Sequence, residues 1–221
     1  MHDFDIDQFL DTTIDAMDFQ SMISDVNDFL EFSEQNIDWQ HRRELQSITL
    51  RTDLKDDPDY CDSLEQSADH RFKVSLPLRV RYSALLSFVT SVEWSVTYLS
   101  QSAVTSIPAK KNGVNRTIEI LRELSQRVAL NSTEIIADYE ALVKLRNCIT
   151  HNGGILDGSK YKDDLPEAAA RIKGITIERW HFFGDQICIA RGALEDPIQS
   201  TAKLVLELHK QMREHGMLKG A

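Results

Sequence analysis

Five apolar residues at helical spacing constrain the fold of this chain more than any other feature of its sequence. They are Leu85, Val89, Val92, Val96 and Leu99. On a helical wheel they lie within about 80° of one another, so they predict a helix over 78–102 with one apolar side. Pro77 fits its first turn, because the amide that proline lacks would be unpaired there in any case. Since a helix of this kind needs other elements to cover its apolar side, the pattern predicts a helical bundle.

Helical spacing recurs along most of the chain. It predicts further helices over 3–34, 39–55, 114–129, 133–151 and 197–214. Within the first of these the apolar phase shifts near Asp18, which indicates a kink or two shorter helices. Pro58 is expected to stop the second, because proline disfavours helix at and before its own position. We therefore expect residues 56–70 to form a loop.

The period changes in the C-terminal third of the chain. Residues 155–174 are mostly polar, with a short helix predicted near their end. Two runs rich in β-branched residues follow, at 174–180 and 186–191, and Gly184-Asp185 lies between them. Such runs on either side of a glycine turn predict a β-hairpin. The chain is therefore expected to be all-α, a helical bundle with a small C-terminal β-hairpin.

Charge divides the chain in two. Residues 1–41 contain eleven acidic residues and no lysine or arginine, whereas charges nearly balance in the rest of a chain whose net charge is −10. We expect an acidic helical N-terminal extension over 1–41 and a helical bundle over 42–221, with the hairpin at about 175–191 and the last helix at about 197–214. The extension is either a solvated helix packed on the bundle or a strip that covers a basic groove or docks a partner.

Several classes of protein are disfavoured by simple features. The chain starts without the positive region and apolar stretch of a signal peptide, and no apolar run approaches the roughly 18 residues of a membrane span. Its three cysteines, Cys61, Cys148 and Cys188, are far apart and form no Cys-x-x-Cys pair, which argues against a disulfide framework or a cysteine zinc site. We expect a cytoplasmic protein with no membrane partner and no metal or cofactor.

The residue with the most chemical consequence is Arg146. It lies near the centre of the apolar stripe of the helix predicted over 133–151. A guanidinium in that place needs an anion, a carboxylate partner or a wet groove, because an unpaired buried charge is very costly. Glu93 is the obvious carboxylate, since it flanks the apolar stripe of the 78–102 helix. The sequence thus leaves open a structural ion pair between Arg146 and Glu93 or a site that binds an anion.

Two further polar residues follow Arg146. Asn147 and His151 are four positions apart and therefore share a helix face. His151 ends the predicted helix, and Asn152-Gly153-Gly154 provides the stop. These residue types suit cleavage of RNA. A histidine can move a proton to or from a 2′-hydroxyl or a leaving oxygen, an arginine can hold the phosphate, and an asparagine can orient either one.

The stretch from Arg146 to His151, within the longer run that starts at Leu142, resembles the motif of HEPN-domain proteins. The segment 76–93 also resembles the earlier long helix of that superfamily, and together the two resemblances cover about residues 76–154. They imply a helical bundle that forms a homodimer with its motif helices facing each other. Many members are metal-independent endoribonucleases of toxin–antitoxin, abortive-infection or phage-defence systems, and others only bind nucleotides or proteins.

By this resemblance Arg146 and His151 would be catalytic, and Asn147 would support them. RNA would be the substrate, cleaved by attack of a 2′-hydroxyl on the adjacent phosphate, and an antitoxin or another neutralising protein would be a possible partner. Further phosphate contacts are expected from Arg79, Arg81, Lys110 and Lys111, although such residues are more often solvated surface. The alternative is a non-catalytic module of the same fold, in which Arg146 forms a structural ion pair.

Overall fold

The computed structural model describes residues 6–51, 57–105, 107, 115–180 and 184–219, and for 6–14 and 180 the backbone alone. The fold is all-α with one small β-hairpin, as predicted. Its elements are α1 (Ile6–Leu50), α2 (Pro58–Asp69), α3 (Leu76–Ser102), α4 (Arg116–Arg127), α5 (Thr133–Asn152), α6 (Leu165–Arg171), β1 (Ile175–Trp180), β2 (Gly184–Ile189) and α7 (Glu195–Glu214). In the described ranges no helix is long and apolar enough to cross a membrane.

Helix α3 is the centre of the bundle. It packs against α1, α4, α5 and α7, and its predicted apolar stripe is entirely buried. Leu85, Val89, Val92, Val96 and Leu99 are all fully inaccessible to solvent. Burying a side chain of this size contributes roughly 1.5–3 kcal/mol relative to its exposed state. The stripe therefore supplies much of the free energy that holds the surrounding helices in place.

Helix α1 is one continuous helix, whereas the sequence predicted two helices with a break between residues 34 and 39 and a kink or break near Asp18. The boundary predicted at residue 41 lies inside it. Phe19, Ile23 and Val26 of α1 are buried in the main core, and Ile37 packs farther along in a second apolar cluster. The helix stays unbroken because the body gives it two successive apolar surfaces, one under each half.

Ion pairs fasten the middle of α1 to the body. The Glu34 carboxylate pairs with Arg81 Nε at 2.7 Å and with Arg191 Nε at 2.8 Å, and Arg191 also reaches Asp38 at 2.9 Å. Arg81 donates in addition to the carbonyl oxygen of Ile189, at 2.8 Å. The acidic face of α1 is therefore partly neutralised by arginines from α3 and from the segment that follows β2.

Residues 58–75 are helical, which corrects the loop predicted over 56–70. Pro58 occupies the first turn of α2 rather than stopping a helix before it, and Asp57 caps that turn by accepting a hydrogen bond from the amide of Tyr60 at 3.0 Å. Proline is compatible both with the position just after a helix and with the first turn of a helix. The aspartate in front of Pro58 was the signal that a helix begins there. A π-helical turn, His70–Ser75, then leads directly into α3.

The β-hairpin is present, but its turn is not where the sequence placed it. Gly184 and Asp185 belong to β2, where they pair with Trp180 and Arg179, and the connection at 181–183 lies outside the described residues. Glycine at the start of a strand produces the same sequence pattern as glycine in a turn. The hairpin also holds the segment after α5, because the Ile187 amide donates to the carbonyl of Gly154 at 2.9 Å.

Candidate active site

The end of α5 positions the motif. The helix runs to Asn152 and stops at Gly153, which has the left-handed backbone (φ 63°) expected at such a cap. Its amide donates to the carbonyl of Ile149 at 3.0 Å. His151 therefore lies in the last turn, as predicted. At the other end Ser132 occupies the capping position, and its side chain forms no capping hydrogen bond.

A buried tyrosine fixes the segment that follows the motif. The hydroxyl of Tyr82 donates to the carbonyl of Ile187, and its ring lies where a side chain on Gly154 would project. Gly154 has φ 84°, a conformation that favours glycine. The thiol of Cys148 also bonds to the carbonyl of Ile155 at 3.4 Å. The C-terminal end of α5 is thus tied to α3 and to β2.

Arg146 forms an ion pair with Glu93 of α3, the partner that the sequence indicated. The Arg146 side chain is 20% exposed and that of Glu93 is 31% exposed, so the pair lies at the edge of the core. Asn115 donates to the same Glu93 oxygen at 3.4 Å, while its own side-chain oxygen caps α4 by accepting from the Thr117 amide at 2.9 Å. Arg146 Nε is buried with no hydrogen-bond partner in the described part of the chain.

Tyr139 lies beneath this ion pair and is fully buried. Its hydroxyl donates to the carbonyl of Val89 at 3.5 Å. Burial raises the pKa of Tyr139 well above its usual value, and the carboxylate of Glu93 raises it further while Arg146 partly offsets the effect. The phenol therefore stays neutral. Neither Tyr139 nor Asn115 was singled out from the sequence, although an asparagine just before a helix is a signal for an N-terminal cap.

His151 and Asn147 lie on other sides of α5 than Arg146. His151 is exposed and Asn147 is half-buried. Five helical positions place Arg146 and His151 about 140° apart around α5 and about 7.5 Å apart along it. Within the described residues, no hydrogen bond or ion pair joins them. One chain therefore brings Arg146 and Glu93 together and presents His151 to solvent on another side of α5.

The predicted phosphate contacts are dispersed. Arg79 is exposed near the start of α3. Arg81 is committed to Glu34 and to the carbonyl of Ile189, so it would have to leave both to bind a phosphate. Lys110 and Lys111 lie outside the described residues. Across the ranges that the structure describes, no three His, Cys, Asp or Glu side chains are grouped in a way that could hold a metal ion.

Comparison of the chain with protein-family models, with curated proteins and with solved structures finds no match. The residues themselves therefore carry the functional argument. They combine a partly exposed arginine held by a carboxylate with an exposed histidine at the end of the same helix.

Proposed function

We propose that this protein is a metal-independent endoribonuclease with Arg146 and His151 as its catalytic residues. The observation that carries the proposal is the placement of Arg146. A guanidinium on an apolar helix stripe is held by Glu93 yet keeps a fifth of its side chain exposed, five residues before an exposed histidine in the last helical turn. The resemblance of this stretch to the HEPN motif supports the same assignment.

Arg146 would hold the phosphate of the scissile bond. Glu93 accepts from one terminal nitrogen of the guanidinium, and arginine has five N–H donors in a planar fork, so donors remain for an anion. Because Glu93 restricts the side chain, little reorientation is needed when charge develops on the phosphate. Glu93 is thus a positioning residue, and Asn147, one position after Arg146, would support Arg146 and His151.

His151 would move the proton. In a transfer to the adjacent phosphate, the 2′-hydroxyl loses its proton, the new P–O bond forms, and the bond to the 5′-oxygen breaks as that oxygen gains a proton. His151 would act as general base or general acid in this sequence. The products are a 2′,3′-cyclic phosphate and a 5′-hydroxyl. Single-stranded or looped RNA is the substrate class, because it can adopt the in-line geometry that a duplex restricts.

The biological setting follows from the resemblance alone. The resemblance to HEPN proteins supports a homodimer in which two copies of the motif line one cleft. It also supports a role in a toxin–antitoxin or phage-defence system with a neutralising partner protein. The exposure of His151 at the surface of one chain is compatible with such a cleft. A cytoplasmic location is part of the same proposal.

The test is cleavage of mixed single-stranded RNA in the presence of EDTA. The parent should cleave, and Arg146→Ala and His151→Ala should each lose activity by roughly 100-fold or more. Arg122→Ala and His215→Ala are the matched controls, since Arg122 pairs with Glu140 across α4 and α5 and His215 is an exposed histidine at the end of α7. The proposal is wrong if His151→Ala cleaves as fast as the parent.

A second function is favoured by the same ion pair. If Arg146 serves only to neutralise the Glu93 carboxylate in a structural ion pair, the protein is a non-catalytic binding module of this fold, with a nucleotide or a protein as its ligand. Removing Arg146 would then leave the Glu93 carboxylate without its cation and lower the free energy of unfolding by about 2 kcal/mol, less than for a fully buried pair because both side chains are partly exposed. His151→Ala should leave that free energy unchanged. No cleavage by the parent, together with this pattern of stabilities, would replace the first proposal by the second.

A further inference from the structure

Helix α1 carries large apolar side chains on the side that faces away from the body. Phe32 is 70% exposed, Leu50 is 72% exposed and Trp39 is 48% exposed. Their spacing of seven and eleven residues aligns them within about 20° on a helical wheel. We call these three residues the outer stripe. It lies opposite the buried side of α1, which faces the core, so packing within the described part of one chain does not account for it.

The charges on either side of the outer stripe change sign along the helix. The N-terminal half of α1 has Asp25 and Asp28 exposed on the outer side, and its C-terminal half has Arg42 and Arg43 exposed there. No lysine or arginine precedes Arg42 in the sequence. The Arg43 guanidinium lies over the ring of Trp39, 5.4 Å from its centre. The outer side of α1 is therefore acidic before the aromatic residues and basic after them.

We propose that Phe32 and Trp39 of the outer stripe bind the same two residues of a second copy of this chain, with the two α1 helices antiparallel. A twofold axis between residues 35 and 36 places Phe32 of one copy opposite Trp39 of the other. It also places Asp28 opposite Arg43, since both lie 7.5 residues, or about 11 Å, from that axis. Aromatic residues then fill the centre and ion pairs flank them, as in well-packed interfaces.

Charge selects the antiparallel arrangement over a parallel one. Parallel helices in register would place Asp28 opposite Asp28 and Arg43 opposite Arg43, and such like-charge contacts are unfavourable. The antiparallel arrangement instead places Asp28 of each copy opposite Arg43 of the other. This interface contains neither Arg146 nor His151, so it is separate from the motif-lined cleft of the proposed function. Where both interfaces form, the α1 interface joins one motif-paired dimer to another, and each interface can be tested without the other.

Position-dependent disulfide cross-linking of the full chain tests the arrangement. Gln35→Cys should form a covalent dimer under mild oxidation, because the two copies of residue 35 are offset by about 1.5 Å along the helices. Ser21→Cys is the matched control, since its two copies would be about 43 Å apart although Ser21 is also exposed on α1. The parent, with its own three cysteines, provides the background. Cross-linking at both positions, or at neither, would overturn the proposal.

Charge reversal provides the second measurement. In sedimentation equilibrium at low salt, Asp28→Arg and Arg43→Asp should each weaken the association through α1 by about tenfold, since each change acts twice in a symmetric pair. The double variant should regain most of the parent's affinity, because the ion pair is restored with reversed sign. Phe32→Ser should weaken the dimer at any salt concentration. A double variant no tighter than either single variant would refute the pairing of Asp28 with Arg43.

Discussion

His209 lies buried between α7 and α3, and lowering the pH should destabilise the protein through this one side chain. The ring is 2% exposed, its Nε2 shares a hydrogen bond with the Ser95 hydroxyl at 3.2 Å, and its Nδ1 has no partner in the described part of the chain. Burial, with a smaller effect from the nearby positive charge of Arg213, lowers the pKa of His209 from 6.5 to about 4. The folded protein therefore keeps this imidazole neutral.

The size and sign of the effect follow from the two pKa values. The unfolded chain binds a proton near pH 6.5, whereas the folded chain resists it until about pH 4. Between these values the unfolded state holds more protons, so stability is complete above pH 6.5 and falls as the pH decreases. The loss of unfolding free energy caused by His209, relative to its value above pH 6.5, amounts to about 2 kcal/mol at pH 5 and about 3 kcal/mol at pH 4.

Urea unfolding followed by circular dichroism measures this contribution. The comparison is between the parent and His209→Gln, whose amide can still bond to Ser95 but does not titrate. Carboxylates affect both chains equally, so the difference between their free energies of unfolding isolates the imidazole. From about pH 7.5 to about pH 5 the parent should lose about 2 kcal/mol more than the variant. Parallel losses in the two chains would show that His209 is not held neutral and would refute the reasoning.

Two pairs of positions offer matched comparisons of stability. Gly154→Ala should lower the free energy of unfolding by at least about 2 kcal/mol more than Gly153→Ala. Both positions require a positive φ, but only a methyl group at 154 would meet the ring of Tyr82. Equal losses of stability in thermal unfolding would contradict this. Glu34→Gln should lower the free energy of unfolding by about 2 kcal/mol, since Glu34 is nearly buried between two arginines. Asp38→Asn removes one partner of an exposed ion pair and should change the free energy of unfolding, measured in a chemical denaturant, by less than about 0.5 kcal/mol.

Periodic patterns in the sequence were sufficient to predict the central part of the fold. The stripe on α3 and the glycine stop of α5 depend on local spacing and local backbone preference, and both are confirmed. The ion pair between Glu93 and Arg146 could also be predicted from the sequence. A cation on the apolar stripe of one helix needs a carboxylate from another helix, and Glu93 flanks the apolar stripe of α3.

Other features depend on tertiary contacts and were missed for that reason. Pro58 is compatible with either the end or the start of a helix, and only the packing of α2 against α1 decides between them. The continuity of α1 comes from two apolar surfaces of the body that lie in line, which the phase shift near Asp18 could not reveal. The contact of Asn115 with Glu93 joins two helices whose relative placement no local pattern encodes.

The link between Ser95 and His209 has a consequence for synthesis of the chain. These partners are separated by 114 positions in the sequence, so at a translation rate of about 10 residues per second α3 is made roughly 10 s before α7. During that interval one side of the central helix has no cover from its final neighbour. Apolar surface left open for so long attracts chaperones and other nascent chains. The growing polypeptide is therefore most open to misassociation after α3 has emerged and before the last helix closes the bundle.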